Sequence, residues 1–390
     1  MDKEWNISTE NLSDELMFLI GLLNVNDGHL TEEKLDWDEV MDLARHHRIF
    51  PLLAPELKGH GDVPSDVQEQ LNSMQQENTF RMLHLSAAMI ELCRQLSEIG
   101  VPAIQLKGPV LARNLYGDIS LRTSSDLDML VPIEQLERTE AFLKDGGYIK
   151  DDYIDTVLGD WKWRHHHVTY IHPVRRIKME VHWRLHPGPA KEPSFKELWA
   201  RKCSVDWMGT AVHQLGKEDQ LLFLLAHGAR HGWSRLRWLI DIRQLMRQGM
   251  DWQLFRQLME RHGWQRTAGH GLLLANQILK APINKELLFL TTHKATRQLA
   301  QQALFYLERK INLHSGTLPE TVSQHHRRYL FAMMGIGRKI TFLLSFLFPY
   351  PDDKRTLPLP NMLHFLYFPL RPFLWMWRKT RKYALSEAGK

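Results

Sequence analysis

Two cysteines, Cys93 and Cys203, stand far apart in a chain of 390 residues. So few thiols exclude both a disulfide framework and a cysteine zinc site, and a reducing compartment is the expectation. Long apolar runs are scarce as well. The longest, Ile340 to Phe348 and Phe365 to Trp377, fall short of the ~20 residues that a membrane-crossing helix needs, and Pro369, Arg371 and Pro372 interrupt the second. The opening Met1-Asp-Lys-Glu-Trp-Asn lacks a basic stretch followed by an apolar one, so no secretion signal is read and a cytoplasmic protein is expected. No fixed-period repeat occurs, which argues against a solenoid.

What remains is the composition of a globular protein, 44% hydrophobic and 24% charged, in a chain longer than one core usually serves. Two or three domains are expected. The formal net charge is +5, but the excess is uneven: Arg371, Arg378, Lys379, Arg381 and Lys382 crowd the C-terminal end beside Trp375 and Trp377. A helix with a solvated basic face is the plain reading of that end. Peripheral contact with anionic lipid, RNA or an acidic partner is the alternative.

Leu16, Leu19, Ile20 and Leu23 recur at helical spacing, as do Leu83, Leu85, Met89, Leu92 and Leu96, so residues 1–100 read as mostly helical. The texture changes at Val101. A short strand, Val101 to Leu106, runs into Lys107-Gly108, and Pro109 to Tyr116 follows as a helix with proline in its first turn. An alternating strand from Ser124 to Pro132 comes next, then a helix from about Ile133 to Lys144. Further strands are expected at Tyr148 to Asp151, His167 to His172 and Ile177 to Leu185, the last two joined by a turn at Pro173 to Arg176. From Pro193 the pattern is helical again, up to a Pro- and charge-rich stretch at Pro349 to Pro360.

The chemistry gathers in the middle of the chain. Asp126 and Asp128 are two apart, which in a strand puts both carboxylates on one face. Paired like charges repel unless a cation sits between them, and Mg2+ favours such hard oxygen ligands together with substrate phosphates. On the later strand, Lys178, Glu180 and His182 share a face, so Glu180 becomes a third carboxylate if the two strands are neighbours. Three acids would support a two-metal in-line displacement, or leave Glu180 to accept the proton of an attacking hydroxyl. At the Lys107-Gly108 turn, glycine lets backbone approach a phosphate, the helix start offers N–H groups, and Lys107 adds a full charge.

The run Leu106-Lys-Gly-Pro-Val-Leu-Ala-Arg-Asn-Leu-Tyr-Gly-Asp-Ile-Ser-Leu-Arg-Thr-Ser-Ser-Asp-Leu-Asp-Met-Leu-Val resembles the signature of a bacterial family of uncharacterised nucleotidyltransferases in the polymerase-beta-like superfamily. Glu180-Val-His-Trp-Arg-Leu and the stretch from His227 to Asp241 look like further blocks of it. The resemblance implies an α+β fold: a nucleotidyltransferase core, a mixed sheet flanked by helices, with helical regions on both sides. The corresponding domains would be residues 1–100, 101–190, 191–348 and 349–390. It implies Asp126, Asp128 and Glu180 as metal-binding acids for Mg2+ or Mn2+, with a nucleoside triphosphate, ATP first, as donor. Many superfamily members carry Gly-Ser where this chain has Lys107-Gly108. The acceptor expected from family context is a small molecule, peptide or saccharide. Sugar transfer from a nucleotide sugar through the same Asp-x-Asp pair, and a nucleotide-binding protein without activity, stand as alternatives. Nucleic acid ranks lower as a partner because the basic residues are diffuse.

Several neighbours carry two readings. Arg122 is suited to donor phosphates or to pairing with Asp118, and Ser125 either bonds phosphate or simply begins the strand. His227, Arg230 and His231 share one helix face and can close over the nucleotide with Trp233 stacking, or pack that helix on the core while Asp241 pairs with an arginine. His165, His166 and His167, with His172, His182 and His186, invite a zinc reading. Adjacent strand residues alternate faces, however, and no His-x-x-x-His spacing is evident.

Overall fold

The computed structural model describes residues 6–24, 35–58, 62–151, 154–313 and 316–387. Met1 to Trp5 and the side chains of Arg381 and Lys382 lie outside the described part. The N-terminal region is helical: α1 (Asp14–Asn24), α2 (Trp37–His46), α3 (Phe50–Leu57) and α4 (Ser65–Glu98). At the start of α2 the Asp36 carboxylate accepts from the backbone N–H groups of Asp38 and Glu39, and Arg45 and His46 close its last turn, so both ends complement the helix dipole. Helix α4 carries one apolar stripe along its length. Val67 and Leu71 enter the core of the helical regions, whereas Met82, Leu85, Met89, Leu92 and Leu96 enter a second core beneath a sheet.

That sheet is built from β1 (Ile104–Gln105), α5 (Pro109–Tyr116), β2 (Leu127–Leu130), α6 (Leu136–Asp145), β3 (Ile149–Lys150), α7 (Trp161–Arg164), β4 (His167–His172), β5 (Ile177–His182), α8 (Phe195–Arg201), β6 (Cys203–Trp207) and β7 (Thr210–Gln214). Its seven strands run in the order β3-β4-β5-β2-β1-β7-β6. The pairs β2–β5 and β1–β7 are parallel and the other neighbours antiparallel, so the sheet is mixed and the fold α+β. One face carries Leu127, Met129, Val168, Tyr170, Met179 and Val181 into the core shared with α4. Each such buried side chain contributes roughly 1.5–3 kcal/mol over an exposed one. The other face is divided: Ile104 and Leu130 meet the helical core, and polar residues hold the rest.

The remaining chain is α9 (Lys217–Arg230), α10 (Leu236–Met246), α11 (Trp252–His262), α12 (Gln265–Leu279), α13 (Leu288–Thr292), α14 (Lys294–Glu308), α15 (Glu320–Met333), α16 (Ile336–Ser345), α17 (Pro351–Thr356) and α18 (Tyr367–Glu387). No helix among the described residues is long and apolar enough to cross a membrane.

The sequence pattern and the structure part at three places. Strand β2 begins at Leu127, so Asp126 is the last residue of the preceding loop and only Asp128 lies in the strand. The region after Pro193, read as helical throughout, opens with α8 but continues into the β6–β7 hairpin, which extends the sheet past residue 190. Its turn, Met208-Gly209, has φ of 54° and 79°, the conformation of a tight primed turn that matches strand twist. The stretch Pro349 to Pro360 contains α17 and not merely a linker. Its Asp353 is fully buried and pairs with Arg371 and with Arg378, at 2.8 Å for the latter. Two of the five C-terminal basic residues are therefore neutralised within the fold.

Candidate active site

Parallel pairing of β2 and β5 sets Asp128 directly beside Glu180, and Leu130 beside His182. Antiparallel pairing then sets His167 of β4 opposite His182. Because faces alternate along each strand, Asp128, Glu180, His182 and His167 all project from the polar face. Ligand atoms of Asp128, Glu180 and His182 lie within 4.8 Å of one another, and so do those of His166, His167 and His182. Asp126 joins from the loop through Lys178, whose Nζ is 3.8 Å from Asp126 Oδ2 and 2.9 Å from Glu180 Oε1. Lys107 Nζ is 2.9 Å from Asp128 Oδ1.

Two lysines thus stand among three carboxylates. Burial pushes the Asp126 carboxyl up, and the neighbouring Asp128 charge pushes it further. Burial acts the same way on Asp128, but the Lys107 ammonium and His182 outweigh it and leave that carboxyl below its ordinary value. Glu180 follows the same logic: burial opposes its charge, and His182 and His167 overcome it, so it stays ionised. In return Asp128 and Glu180 raise His182 against its burial. Burial, and then the His182 charge, hold His167 down at about 4. Asp128 Oδ2 is buried with no hydrogen-bond partner, an unmet acceptor in the middle of the cluster.

The Lys107-Gly108 turn delivers that first lysine. Gly108 has φ 79°, a backbone conformation that L side chains rarely adopt, and Pro109 starts α5 behind it. The Leu106 N–H donates to the Asp128 carbonyl at 2.9 Å, which ties the turn to β2 next to the carboxylate.

Arg230, at the end of α9, donates from Nη1 to His166 Nε2 at 3.0 Å. Burial lowers its guanidinium to about 10 against the pull of Glu180 and Asp128, so it faces the carboxylates across the histidines. His231 lies beside Arg230 Nη2 at 3.4 Å, and its ring centroid is 5.4 Å from that of Trp238. Ser125 is exposed at the mouth of the site, with Ser124 Oγ donating to the Asp126 carbonyl at 3.0 Å. Arg122 is placed differently. It is buried and donates through Nε and Nη2 to both oxygens of Asp241, at 3.1 to 3.2 Å, while Tyr116 Oη donates to the same carboxylate at 2.8 Å. Asp118, the partner weighed for Arg122, instead caps the Ser120 N–H. Trp233 is wholly buried in the helical core and donates to His270 Nε2 at 3.0 Å, away from any stacking role.

Residue spacing set the histidines aside as a metal site because adjacent strand residues alternate faces, but strand register gathers three of them: His167 and His182 are directly opposed across β4 and β5, and His166 joins them. The sharing of one face by Lys178, Glu180 and His182 was the available signal.

A strand pair thus presents Asp128 and Glu180 on one face, and the lysine turn approaches it. Residues 33–280 match the family described as uncharacterised nucleotidyltransferase, and the chain belongs to that family. It is accordingly a transferase of the nucleotidyltransferase type. No curated protein matches the chain. Among solved structures, an antigenic nucleotidyltransferase-like protein from Paracoccidioides brasiliensis is similar over 53% of this chain and 96% of its own, at 14% identity and a TM-score of 0.32.

Proposed function

We propose that the chain moves a nucleotidyl group from a nucleoside triphosphate, ATP being the first donor to test, to a small-molecule, peptide or saccharide acceptor, using Mg2+ or Mn2+ held by Asp126, Asp128 and Glu180. The observation that carries this reading is the β2–β5 register, which sets Asp128 beside Glu180 with a lysine on each. The cluster suits a divalent cation on its own terms. Asp128 Oδ2 is a buried acceptor without a donor, and the raised Asp126 carboxyl is relieved by any nearby cation. Carboxylate oxygens favour Mg2+, and the imidazoles of His182 and His167 alongside also suit Mn2+. When bound, the ion supplies charge neutralisation and Lewis-acid polarisation at the donor phosphates.

The chain's own residues account for the rest. In the transfer, an acceptor oxygen forms a bond to the α-phosphorus while the bond from that phosphorus to the bridging oxygen breaks, and pyrophosphate leaves. Lys107, in contact with Asp128, and Arg230, within reach of the carboxylates' charge, steady the phosphates. Glu180, held ionised chiefly by His182, suits a ligand's role better than a base's. His167 stands neutral beside it and is suited to take the acceptor's proton.

The test is a donor screen with Mg2+ or Mn2+, following binding and released pyrophosphate for each nucleoside triphosphate and for several nucleotide sugars. Asp128→Asn is expected to lower turnover by roughly a thousandfold in a chain that still folds, as read by its circular dichroism. Release of a nucleoside diphosphate from a nucleotide sugar would replace this reading with glycosyl transfer, and no binding of any donor would remove it.

A further inference from the structure

Beside Asp126 lies a cavity of about 350 Å3, walled by the turn between α2 and α3, by α4, and by the loop before β2. Arg45, Arg48, Arg81, Glu77, Ser124 and Ser125 line it. Arg45 is engaged with Asp42 and Gln70. The side chains of Arg48 and Arg81 make no hydrogen bond or ion pair with another described residue. They nevertheless sense each other: burial destabilises the Arg48 charge, Asp126 supports it, and Arg122 and Arg81 oppose it. Behind the loop the charge has the same sign. Arg237 is buried against Thr123 Oγ1 at 2.9 Å, and Arg235 adds to the repulsion on Arg48. Arg122 alone in this layer has a dedicated carboxylate, Asp241.

Two guanidiniums, Arg48 and Arg81, that meet at a cavity with no carboxylate among the described residues within ion-pair distance call for an anion, by the reasoning that makes paired carboxylates call for a cation. Phosphate oxygens match the planar guanidinium fork, and the volume admits more than a single phosphate. We infer that this cavity, formed mainly by the N-terminal helices, binds the phosphate end of a ligand, with Arg48 and Arg81 as its principal contacts and the Ser125 hydroxyl beside them. The ligand's place in a reaction rests on the proposed nucleotidyl transfer; the anion site itself does not.

The experiment titrates pyrophosphate into the full chain by calorimetry in the presence of EDTA, so that metal-held phosphate does not contribute. Binding is expected, weakening with salt, and falling by about tenfold or more in each of Arg48→Gln and Arg81→Gln. Arg48→Lys is expected to recover part of the loss, and Glu77→Gln to tighten binding. Asp128→Asn should abolish turnover and leave this binding in place, which separates failure of the site from failure of the reaction. Competition between pyrophosphate and a non-hydrolysable triphosphate assigns the cavity to the donor, and simultaneous binding assigns it to a phosphorylated acceptor. No pyrophosphate binding by a folded chain, or equal binding by wild type and both arginine variants, overturns the inference.

A second inference rests on separate residues. Ile336, Ile340, Leu343, Leu344 and Leu347 form an exposed stripe along and just beyond α16, and Phe373, Trp375, Met376 and Trp377 are exposed on α18. The segment that follows α16 meets α18 where Phe348 packs on Phe368, with ring centroids 5.1 Å apart. Lys379 lies over Trp375 and Lys339 over Phe331, so cations border the apolar side chains. Aromatic and aliphatic residues edged by lysine are the composition of a helix lying in a lipid interface. We propose that α16 and α18 dock on an anionic membrane surface. Wild type is expected to co-sediment with phosphatidylglycerol-containing vesicles, and Ile340→Glu/Phe373→Glu to lose roughly tenfold in partitioning. Absence of vesicle binding, equal binding by the variant, or a dimer in solution that the variant dissolves would overturn it.

Discussion

Lys107 occupies the position at which a cation meets Asp128, since its Nζ is 2.9 Å from an oxygen that is otherwise buried. Its ammonium therefore neutralises the carboxylate in the absence of metal, and it competes with any ion that arrives. Lys107→Met is expected to leave Mn2+ affinity unchanged or tighter, read by electron paramagnetic resonance of free Mn2+. The same variant should raise the apparent KM for the nucleoside triphosphate by about tenfold, because the phosphates lose a charge-assisted contact. A parallel loss of Mn2+ affinity would mean that Lys107 organises the acids and does not contact the donor.

At the scale of elements, the glycines of α9 and α12 explain how two helices come close enough to enclose Trp233. A Cβ on Gly271 would stand 2.6 Å from Leu225 Cδ2 and 2.6 Å from Trp233 Cζ2, with both neighbours buried and unable to retreat. Helix propensity alone would favour alanine by about 1 kcal/mol, but overpacking costs ~1–3 kcal/mol. Packing wins. Gly271→Ala is expected to lower stability by about 1–2 kcal/mol in urea unfolding, and a gain would show that the groove relaxes freely.

Elements with strong local signals were legible in the sequence. The α5 helix starts at the proline and ends before the glycine that its pattern names, and β4 keeps its predicted bounds. The acids, the lysine turn and the shared face of β5 came from period-two alternation and turn chemistry. The β6–β7 hairpin escaped although Cys203–Trp207 alternates apolar and polar residues, because that strand is short, Thr210–Gln214 alternates weakly, and Met208 is an uncommon residue at positive φ. Arg48 and Arg81 escaped for a different reason. They approach Ser125 only after α2, α3 and α4 pack on the sheet, and no local pattern encodes that meeting.

Across the whole molecule, the Arg122–Asp241 pair joins the loop before β2 to α10, and both partners are buried. Breaking one side strands a charge. Arg122→Met is expected to cost about 3–5 kcal/mol, and the double variant Arg122→Met/Asp241→Leu to recover most of it, because two apolar groups replace a pair that gains little net energy from burial. A double variant as unstable as the single one would assign Arg122 further partners.

Acid sensitivity follows from the same burial. His270 has its Nδ1–H directed to the Arg266 carbonyl at 2.7 Å and its Nε2 accepting from Trp233, so a second proton would meet a donor already in place. Burial lowers this histidine to about 4, and burial also lowers His47, His186 and His227. The unfolded chain takes up these protons near pH 6.5 while the folded chain refuses them, so stability is complete above that pH and drains as the pH falls toward 4. For His270 alone the loss amounts to about 3 kcal/mol over that window. His270→Asn keeps an acceptor for Trp233 but does not titrate. Its unfolding free energy, measured from pH 7.5 to 4.5, should fall less steeply than wild type by up to ~1.4 kcal/mol per pH unit. Identical slopes would mean that His270 does not carry this acid sensitivity.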